Sequence, residues 1–325
     1  MKDNYQREID YLRIAVTDRC NLRCTYCMPE EGIEPKRHDE ILSLEEIIRL
    51  VQILVKDGIR KIRLTGGEPL VRKNIEALVR GIHGIEGIEE ISLTTNGILL
   101  EKLAVSLKKA GLDRVNVSLD TLKKDKYHAI TRLGELDKVI RGIKAAQAAG
   151  LNPVKVNAVA IRGFNEDELV DFATFAIDNK LTVRFIELMP VGESSENGES
   201  YISMEDILNT IRKKYELAQI PRGPKDGPSS NYQIVGTEGR IGVIAALTNH
   251  FCADCNRMRL TADGKFRPCL FSSTEFDVRE LLRDGSDDEK IQALYHNVLG
   301  HKPKEHRMEY EKYECKDRRM SQIGG

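Results

Sequence analysis

The chain has almost no net charge: 50 Lys and Arg stand against 51 Asp and Glu, a formal −1 at pH 7. No overall basic field is present to recruit nucleic acid, although cations this numerous leave room for a local cationic pocket. Nor does any run approach the ~20 consecutive apolar residues of a membrane span. The opening residues, M-K-D-N-Y-Q-R-E-I-D, lack the apolar stretch of a secretory signal. These absences point to a cytoplasmic protein with neither a nucleic-acid nor a membrane partner. Tryptophan is missing too, which excludes nothing. With 41% hydrophobic and 31% charged residues the chain reads as soluble and globular, and 325 residues suffice for one large α/β domain or a domain plus an extension.

Cysteine is scarce but patterned. Six of the seven cysteines fall into two triplets: C-x3-C-x2-C at Cys20, Cys24 and Cys27, and C-x2-C-x13-C at Cys252, Cys255 and Cys269. In a reducing compartment such spacing suggests metal or redox chemistry rather than structural disulfides. Three thiolates are one short of the four that close a zinc site or fully ligate a [4Fe–4S] cluster. A cubane held by three cysteines keeps one iron open for chemistry. Two plainer readings stand beside this one. The first triplet could be half of a zinc knuckle completed by His38, although zinc pairs usually come as C-x2-C, or it could be a set of buried thiols. Cys315, in the charged tail, has no partner and is simplest as a free thiol.

From residue 11 to about 188, short β-branched runs alternate with amphipathic stretches. The expected strands are Leu12–Thr17, Lys61–Thr65, Ile91–Thr95, Arg114–Leu119, Val154–Ile161 and Val183–Leu188. The expected helices are Leu44–Lys56 with Ser43 as N-cap, Ile75–Ile82, Leu99–Lys109, Asp137–Ala149 and Asp167–Asn179. Gly58, Gly111 and Gly150 each follow a helical run, where a left-handed C-cap is expected. Six strand–helix units of roughly 30 residues imply a parallel sheet, since each crossover must carry a helix. Six are fewer than the eight that close a full barrel. The expected fold is an incomplete (β/α)6 TIM-like barrel, residues 1–190, with a C-terminal α+β extension, residues 191–325, closing the open side. The alternative, a flat doubly wound sheet, lacks a glycine-rich phosphate loop after its first strand. Gly192–Ser200 reads as a mobile loop. A helix over Met204–Tyr215, a Pro/Gly-rich stretch from Pro221 to Ser230, a strand over Arg240–Leu247 and a helix at Asp287–Leu299 follow.

The polar motifs share one sheet edge. T-D-R-C follows the first strand, T-G-G-E-P the second, T-T-N-G the third, S-L-D the fourth and E-L-M-P the sixth. Strand C-terminal ends carry the active sites of (β/α) barrels. Gly66 and Gly67 let the backbone approach a ligand with no Cβ in the way, Glu68 can accept from an ammonium group, and Pro69 fixes the turn. As a plain strand-to-helix turn, G-G-E-P would need none of this. Farther on, Asp263-Gly264 signals a hairpin, and a three-residue loop with a G1 bulge would pair Cys269 with Arg257. Alternation then places Cys255, Arg257, Arg259 and Cys269 on one face. Two arginines there suit phosphate oxygens, although an arbitrary R-x-R is more often a solvated strand face.

C-x3-C-x2-C after the first strand, with Tyr26 before its third cysteine and G-G-E-P after the second strand, resembles the radical S-adenosylmethionine family. F-C-A-D-C-N-R-M-R-L-T-A-D-G-K-F-R-P-C-L and the terminal I-G-G narrow the resemblance to the GTP 3′,8-cyclases, which begin molybdenum cofactor synthesis. The likeness runs from about Leu12 to Gly325. It implies two [4Fe–4S] clusters, at Cys20/Cys24/Cys27 and at Cys252/Cys255/Cys269. It further implies S-adenosylmethionine at Tyr26, Gly67, Glu68, Ser118 and Met189. GTP would face Arg13, Arg63, Thr94, Lys155, Arg184 and the run Arg257, Met258, Arg259, and the Gly324-Gly325 tail would reach the active site for radical initiation. The first cluster would cleave S-adenosylmethionine to a 5′-deoxyadenosyl radical. That radical takes hydrogen from ribose C3′ of GTP, and C3′ then attacks guanine C8. Implied partners are a reductant protein such as flavodoxin or ferredoxin and the next pterin-forming enzyme, and a homodimer stays open. The rivals are another two-cluster enzyme of this family, such as a peptide-modifying maturase, and a zinc-bound interaction protein.

Overall fold

Hydrophobic periodicity builds the first half of the chain as six repeats. The computed structural model describes residues 1–189, 200–223, 227–306 and 318–323. Strands β1 (Tyr11–Ala15), β2 (Lys61–Thr65), β3 (Glu90–Thr95), β4 (Arg114–Ser118), β5 (Lys155–Ala160) and β6 (Thr182–Glu187) run parallel and in order. Between them lie α1 (Leu44–Val55), α2 (Ile75–His83), α3 (Leu100–Lys109), α4 (Lys124–Thr131), α5 (Leu136–Ala148) and α6 (Leu169–Asp178). Ser43 starts α1 through a capping box: its hydroxyl accepts from Glu46 N–H at 3.1 Å, and the Glu46 carboxylate accepts from Ser43 N–H at 2.6 Å. Gly58, Gly111 and Gly150 follow α1, α3 and α5 at φ +93°, +104° and +78°, as C-caps require. The short helix α4 was not expected.

Alternation sorts the two faces of the sheet. Ile62, Leu64, Ile91, Leu93, Val115, Val117, Val156, Ala158, Val183 and Phe185 join the helices' Leu50, Leu54, Leu78, Leu107, Ile143 and Phe172 in one apolar core. Full burial of each such side chain contributes about 1.5–3 kcal/mol. The alternate positions carry Arg13, Arg63, Ser92, Thr94, Asn116, Lys155, Asn157 and Arg184. Closed barrels fill their interior with layers of branched apolar residues. This inner face is polar, which suits a ligand cavity rather than a packed core.

The rest of the chain extends the sheet at both edges. It contributes α7 (Met204–Arg212), β7 (Leu217–Ile220), β8 (Ser230–Ile234), β9 (Arg240–Ile244), β10 (Arg257–Leu260), β11 (Lys265–Arg267), β12 (Phe276–Asp277), α8 (Arg279–Arg283), α9 (Asp288–Gly300) and α10 (Met320–Ile323). The strand order is β12-β11-β10-β1-β2-β3-β4-β5-β6-β9-β8-β7. β9 lies parallel to β6 and β10 parallel to β1, so the sheet is mixed and is not closed on itself. The incomplete six-unit barrel holds, with its open side flanked by two added groups of three strands. Residues 192–199 of the expected loop, together with Cys315, Gly324 and Gly325, lie outside the described residues. Among the described residues no helix is long and apolar enough to cross a membrane.

Candidate functional site

The first cysteine triplet occupies the loop that leaves the C-terminal end of β1, and the two glycines after β2 clamp it. Gly67 N–H donates to Thr17 O and Glu68 N–H to Arg19 O, both at 2.8 Å. A Cβ on Gly66 would stand 2.3 Å from Thr17 O, and one on Gly67 2.3 Å from Arg19 O. The loop's other side is pinned to the end of α4. Arg23 N–H and Thr25 N–H donate to Thr131 O (3.1 Å) and Ile130 O (2.9 Å). The Arg132 guanidinium donates to the carbonyls of Arg23 (2.9 Å) and Met28 (3.0 Å).

The three thiols form no disulfide and are partly buried. Burial, aided by Glu68 and Cys27, pushes the Cys20 thiol up to about 12. Burial also holds Cys24 well above the ordinary thiol range, and the neighbouring Cys27, Asp120 and Cys20 add to this. Thiols that oppose one another's ionisation in this way become thiolates on a shared cation. The donor set therefore fits an iron–sulfur cube with one iron left to a ligand. Among the described residues no three His, Cys, Asp or Glu side chains are grouped to hold a single metal ion.

Around this loop, Tyr26 Oη donates to Asp120 Oδ2 at 2.7 Å, and Val159 N–H fixes Asp120 Oδ1 at 2.9 Å. Ser118 ends β4 and Met189 follows β6, on the same sheet edge. Glu68 also ties this edge together from within. Its carboxylate, 1% exposed, already accepts from Leu70 N–H (3.0 Å), Thr95 Oγ1 (2.7 Å) and Asn96 N–H (2.7 Å). Burial nevertheless raises its pKa to about 7. This side chain latches the loops after β2 and β3 together, and a carboxylate's roughly four acceptor sites leave room for one more donor beside these three.

Below that edge, the register lines up cations across four neighbouring strands. Arg267 pairs with Arg259, Arg259 with Arg13, and Arg13 with Arg63. A second row runs Arg257, Tyr11, Lys61, Glu90. The offsetting acids are few: Glu275 holds Arg267 at 2.5 Å, Glu90 holds Arg114 at 2.6 Å, and Asp10 lies 3.4 Å from Lys61. Burial, then Arg259 and Arg63, pull Arg13 well below the usual guanidinium range. Burial and Arg257 bring Arg259 to about 10. Burial with Arg63 and Arg114 brings Arg184 to about 9. Lys155 falls to about 8 through burial and the neighbouring Arg184, Arg114 and Arg63. Arg184 is aimed by Asn157 Oδ1 (2.9 Å) and Asn116 Oδ1 (2.6 Å). Thr94 Oγ1, Arg114 Nη1 and Asn116 Nδ2 are buried without a hydrogen-bond partner. Each such group costs about 1–3 kcal/mol. Like charges at adjacent register positions are destabilising, so the face fits a polyanion with acceptors for these donors.

The hairpin adopts the three-residue register expected for it. Arg259 faces Arg267 and Leu260 faces Phe266 across the Ala262-Asp263-Gly264 loop, with Gly264 at φ +76°. Extending that ladder places Cys269 opposite Arg257. Alternation sends the fully buried Met258 side chain into the apolar core, away from the two arginines, which leaves its backbone toward the polar face. At the second triplet burial opposes the Cys255 thiolate, but Arg257 and Lys302 outweigh it and bring that thiol to about 6. Cationic surroundings of this kind suit a ligand to iron. Lys61, Arg114, Asn116 and Asn157 were missed as lining residues, although Lys61-x-Arg63, Arg114-x-Asn116 and Lys155-x-Asn157 show the period-two signal. Lys302 was missed with no such signal.

Residues 14–176 match the Radical SAM superfamily model, and residues 181–308 match Molybdenum Cofactor Synthesis C. Over its full length and theirs, the chain is 53% identical to a GTP 3′,8-cyclase of Moorella thermoacetica and 52% identical to one of Pelotomaculum thermopropionicum. A similar solved structure is anSMEcpe with bound AdoMet, at TM-score 0.63 and 18% identity, covering 90% of this chain and 78% of that one. Another is SuiB of Streptococcus suis bound to S-adenosylmethionine, at TM-score 0.61 and 17% identity, covering 90% and 68%. At such identities the two structures speak to the fold alone.

Proposed function

The chain belongs to the GTP 3′,8-cyclase family of the radical S-adenosylmethionine superfamily, and from that membership we propose how its residues divide the reaction. It is an enzyme that converts GTP to (8S)-3′,8-cyclo-7,8-dihydroguanosine 5′-triphosphate, the first step of molybdenum cofactor biosynthesis, using two [4Fe–4S] clusters and S-adenosylmethionine. Cys20, Cys24 and Cys27 would hold the first cluster, and Cys252, Cys255 and Cys269 the second. When bound, the first cluster with S-adenosylmethionine supplies the hydrogen-abstracting 5′-deoxyadenosyl radical. Ribose C3′ of GTP loses a hydrogen atom, the C3′–C8 bond forms, and one electron and one proton complete the product.

The observation that carries the residue assignment is the row Arg259–Arg13–Arg63 on the polar face between the two thiol sets. We assign the triphosphate to this row with Lys155 and Arg184. Charge-assisted bonds contribute about 1.5–3 kcal/mol each, so four or five support micromolar binding, about −8 kcal/mol, after ordering costs. Arg257, Thr94 and the Met258 backbone complete the substrate contacts. Tyr26, Gly67, Ser118 and Met189 hold S-adenosylmethionine, and Asp120 fixes the Tyr26 hydroxyl so that its ring keeps one orientation beside the cysteine loop. Gly324 and Gly325 serve radical initiation. We place the division between catalytic barrel and extension at residues 190/191, and the enzyme in the cytoplasm, with a flavodoxin- or ferredoxin-type reductant and the next pterin-forming enzyme as partners.

The test is anaerobic incubation with a reductant, GTP and S-adenosylmethionine. 5′-Deoxyadenosine should form only when GTP is present. No stimulation by GTP would favour another two-cluster enzyme of this family, and a colourless, zinc-loaded protein would remove the chemistry altogether.

A further inference from the structure

Lys302 lies two residues beyond α9 and is 3% exposed. Its Nζ donates to Arg257 O at 2.7 Å and to Pro268 O at 2.9 Å, and it stands 3.6 Å from Cys255 Sγ. An ammonium has three protons to place, and these three partners belong to three parts of the second thiol site. Arg257 opens β10, Pro268 directly precedes Cys269, and Cys255 is itself one of the three cysteines. The groups near Lys302 that would carry negative charge, as thiolates on iron, are Cys255 and Cys269, while Arg7 and Arg257 are the cations nearby. Two carbonyls satisfy protons but do not neutralise a buried charge, which is costly when uncompensated.

We propose that Lys302 is a positioning residue for the second cluster: it spaces Cys255 and Cys269 for the iron and, through its charge beside Cys255 Sγ, favours the reduced cluster. This rests on the two-cluster reading above. Net charge and hydrogen bonds at the ligating sulfurs set the potential of such clusters, so removing this cation should make the second cluster harder to reduce.

The experiment is an EPR-monitored redox titration of the reconstituted full-length enzyme, with iron counted per chain. The second cluster's signal is identified by its survival in a Cys24→Ser variant. Lys302→Met should shift the reduction equilibrium of the second cluster at least tenfold, about 59 mV for a one-electron couple, toward the oxidised form. The first cluster should stay unmoved, and Lys302→Arg should remain near wild type. Equal shifts in both clusters, or no shift with full iron in Lys302→Met, would overturn the assignment. If Lys302→Met does not retain the second cluster, Lys302→Arg decides. Retention of both clusters supports the role, and loss of the second with unchanged circular dichroism overturns it. A wild-type chain holding about four irons rather than about eight would instead sink the two-cluster reading itself.

Discussion

Replacing Gly67 by alanine should separate the two cysteine sets. The added Cβ would lie 2.3 Å from Arg19 O and 2.7 Å from Asp18 O, where ordinary contact begins at 3.4 Å. Both obstacles are backbone atoms in the segment that leads to Cys20, so no rotamer change relieves the clash. That segment must move by about 1 Å, and the 2.8 Å bonds from Gly67 N–H to Thr17 O and from Glu68 N–H to Arg19 O strain with it. A lost buried hydrogen bond costs about 1–3 kcal/mol and overpacking about 1–3 more, a sum of roughly 2–6 kcal/mol. Domain stabilities run to about 5–15 kcal/mol, so most of the fold should survive while the cysteine loop is displaced. After anaerobic reconstitution we expect about four irons per chain instead of about eight, an EPR signal from the second cluster alone, and no 5′-deoxyadenosine. Gly300→Ala is the control, because a Cβ there meets nothing within 4 Å. Full iron content with wild-type 5′-deoxyadenosine yield in Gly67→Ala would refute the close-approach role of the glycine.

Arg259→Met should weaken GTP binding about 10- to 100-fold in equilibrium dialysis, one charge-assisted bond's worth. It should at the same time leave the urea midpoint unchanged or raised, because one of four apposed buried cations is gone; a fall in both would contradict the like-charge reading. Lys155 has its pKa lowered to about 8 by burial and nearby arginines, and a bound triphosphate favours the ammonium. GTP affinity should therefore fall as pH rises from 7 to 9, and Lys155→Arg should flatten that fall; identical pH profiles would remove Lys155 from the site. Deleting Gly324 and Gly325 should abolish cyclisation while sparing iron content, and unaltered turnover would refute their role. Arg318 grips both Asp263 oxygens at 3.0 Å and Glu275 Oε2 at 2.7 Å. Arg318→Gln should accordingly speed carboxypeptidase trimming of the C-terminus, and wild-type trimming rates would show that this clamp does not hold the tail.

The strands and helices of the barrel were legible because each carries its own period and its own stop signal. The hairpin register was legible because only one loop length brings Cys269 opposite Arg257. What stayed hidden was set by tertiary structure. The short α4, at eight residues, is below the length that propensity alone sustains, and its end is held by contacts with the cysteine loop. The bonds that Thr95 and Asn96 bring to Glu68 from the next strand's loop could not be read from the sequence either. Lys302 is one lysine among many until the turn after α9 brings it to Cys255.

The pairing of β10 with β1 was the least visible feature, and the function depends on it. Sequence separates Arg13 from Arg259 by most of the chain, and only this parallel pairing makes them neighbours. The first half alone would present Arg13 on an uncovered edge strand, with Arg63 one strand in. Covering that edge brings in Arg259 and Arg267 and buries the set, a step that opposes folding for the cations themselves. Apolar burial on the outer face, a continuous layer under the helices, offsets that penalty. A bound polyanion would bring further acceptors and negative charge to this row of apposed cations. Substitutions that relax this row should stabilise the protein and disable it together.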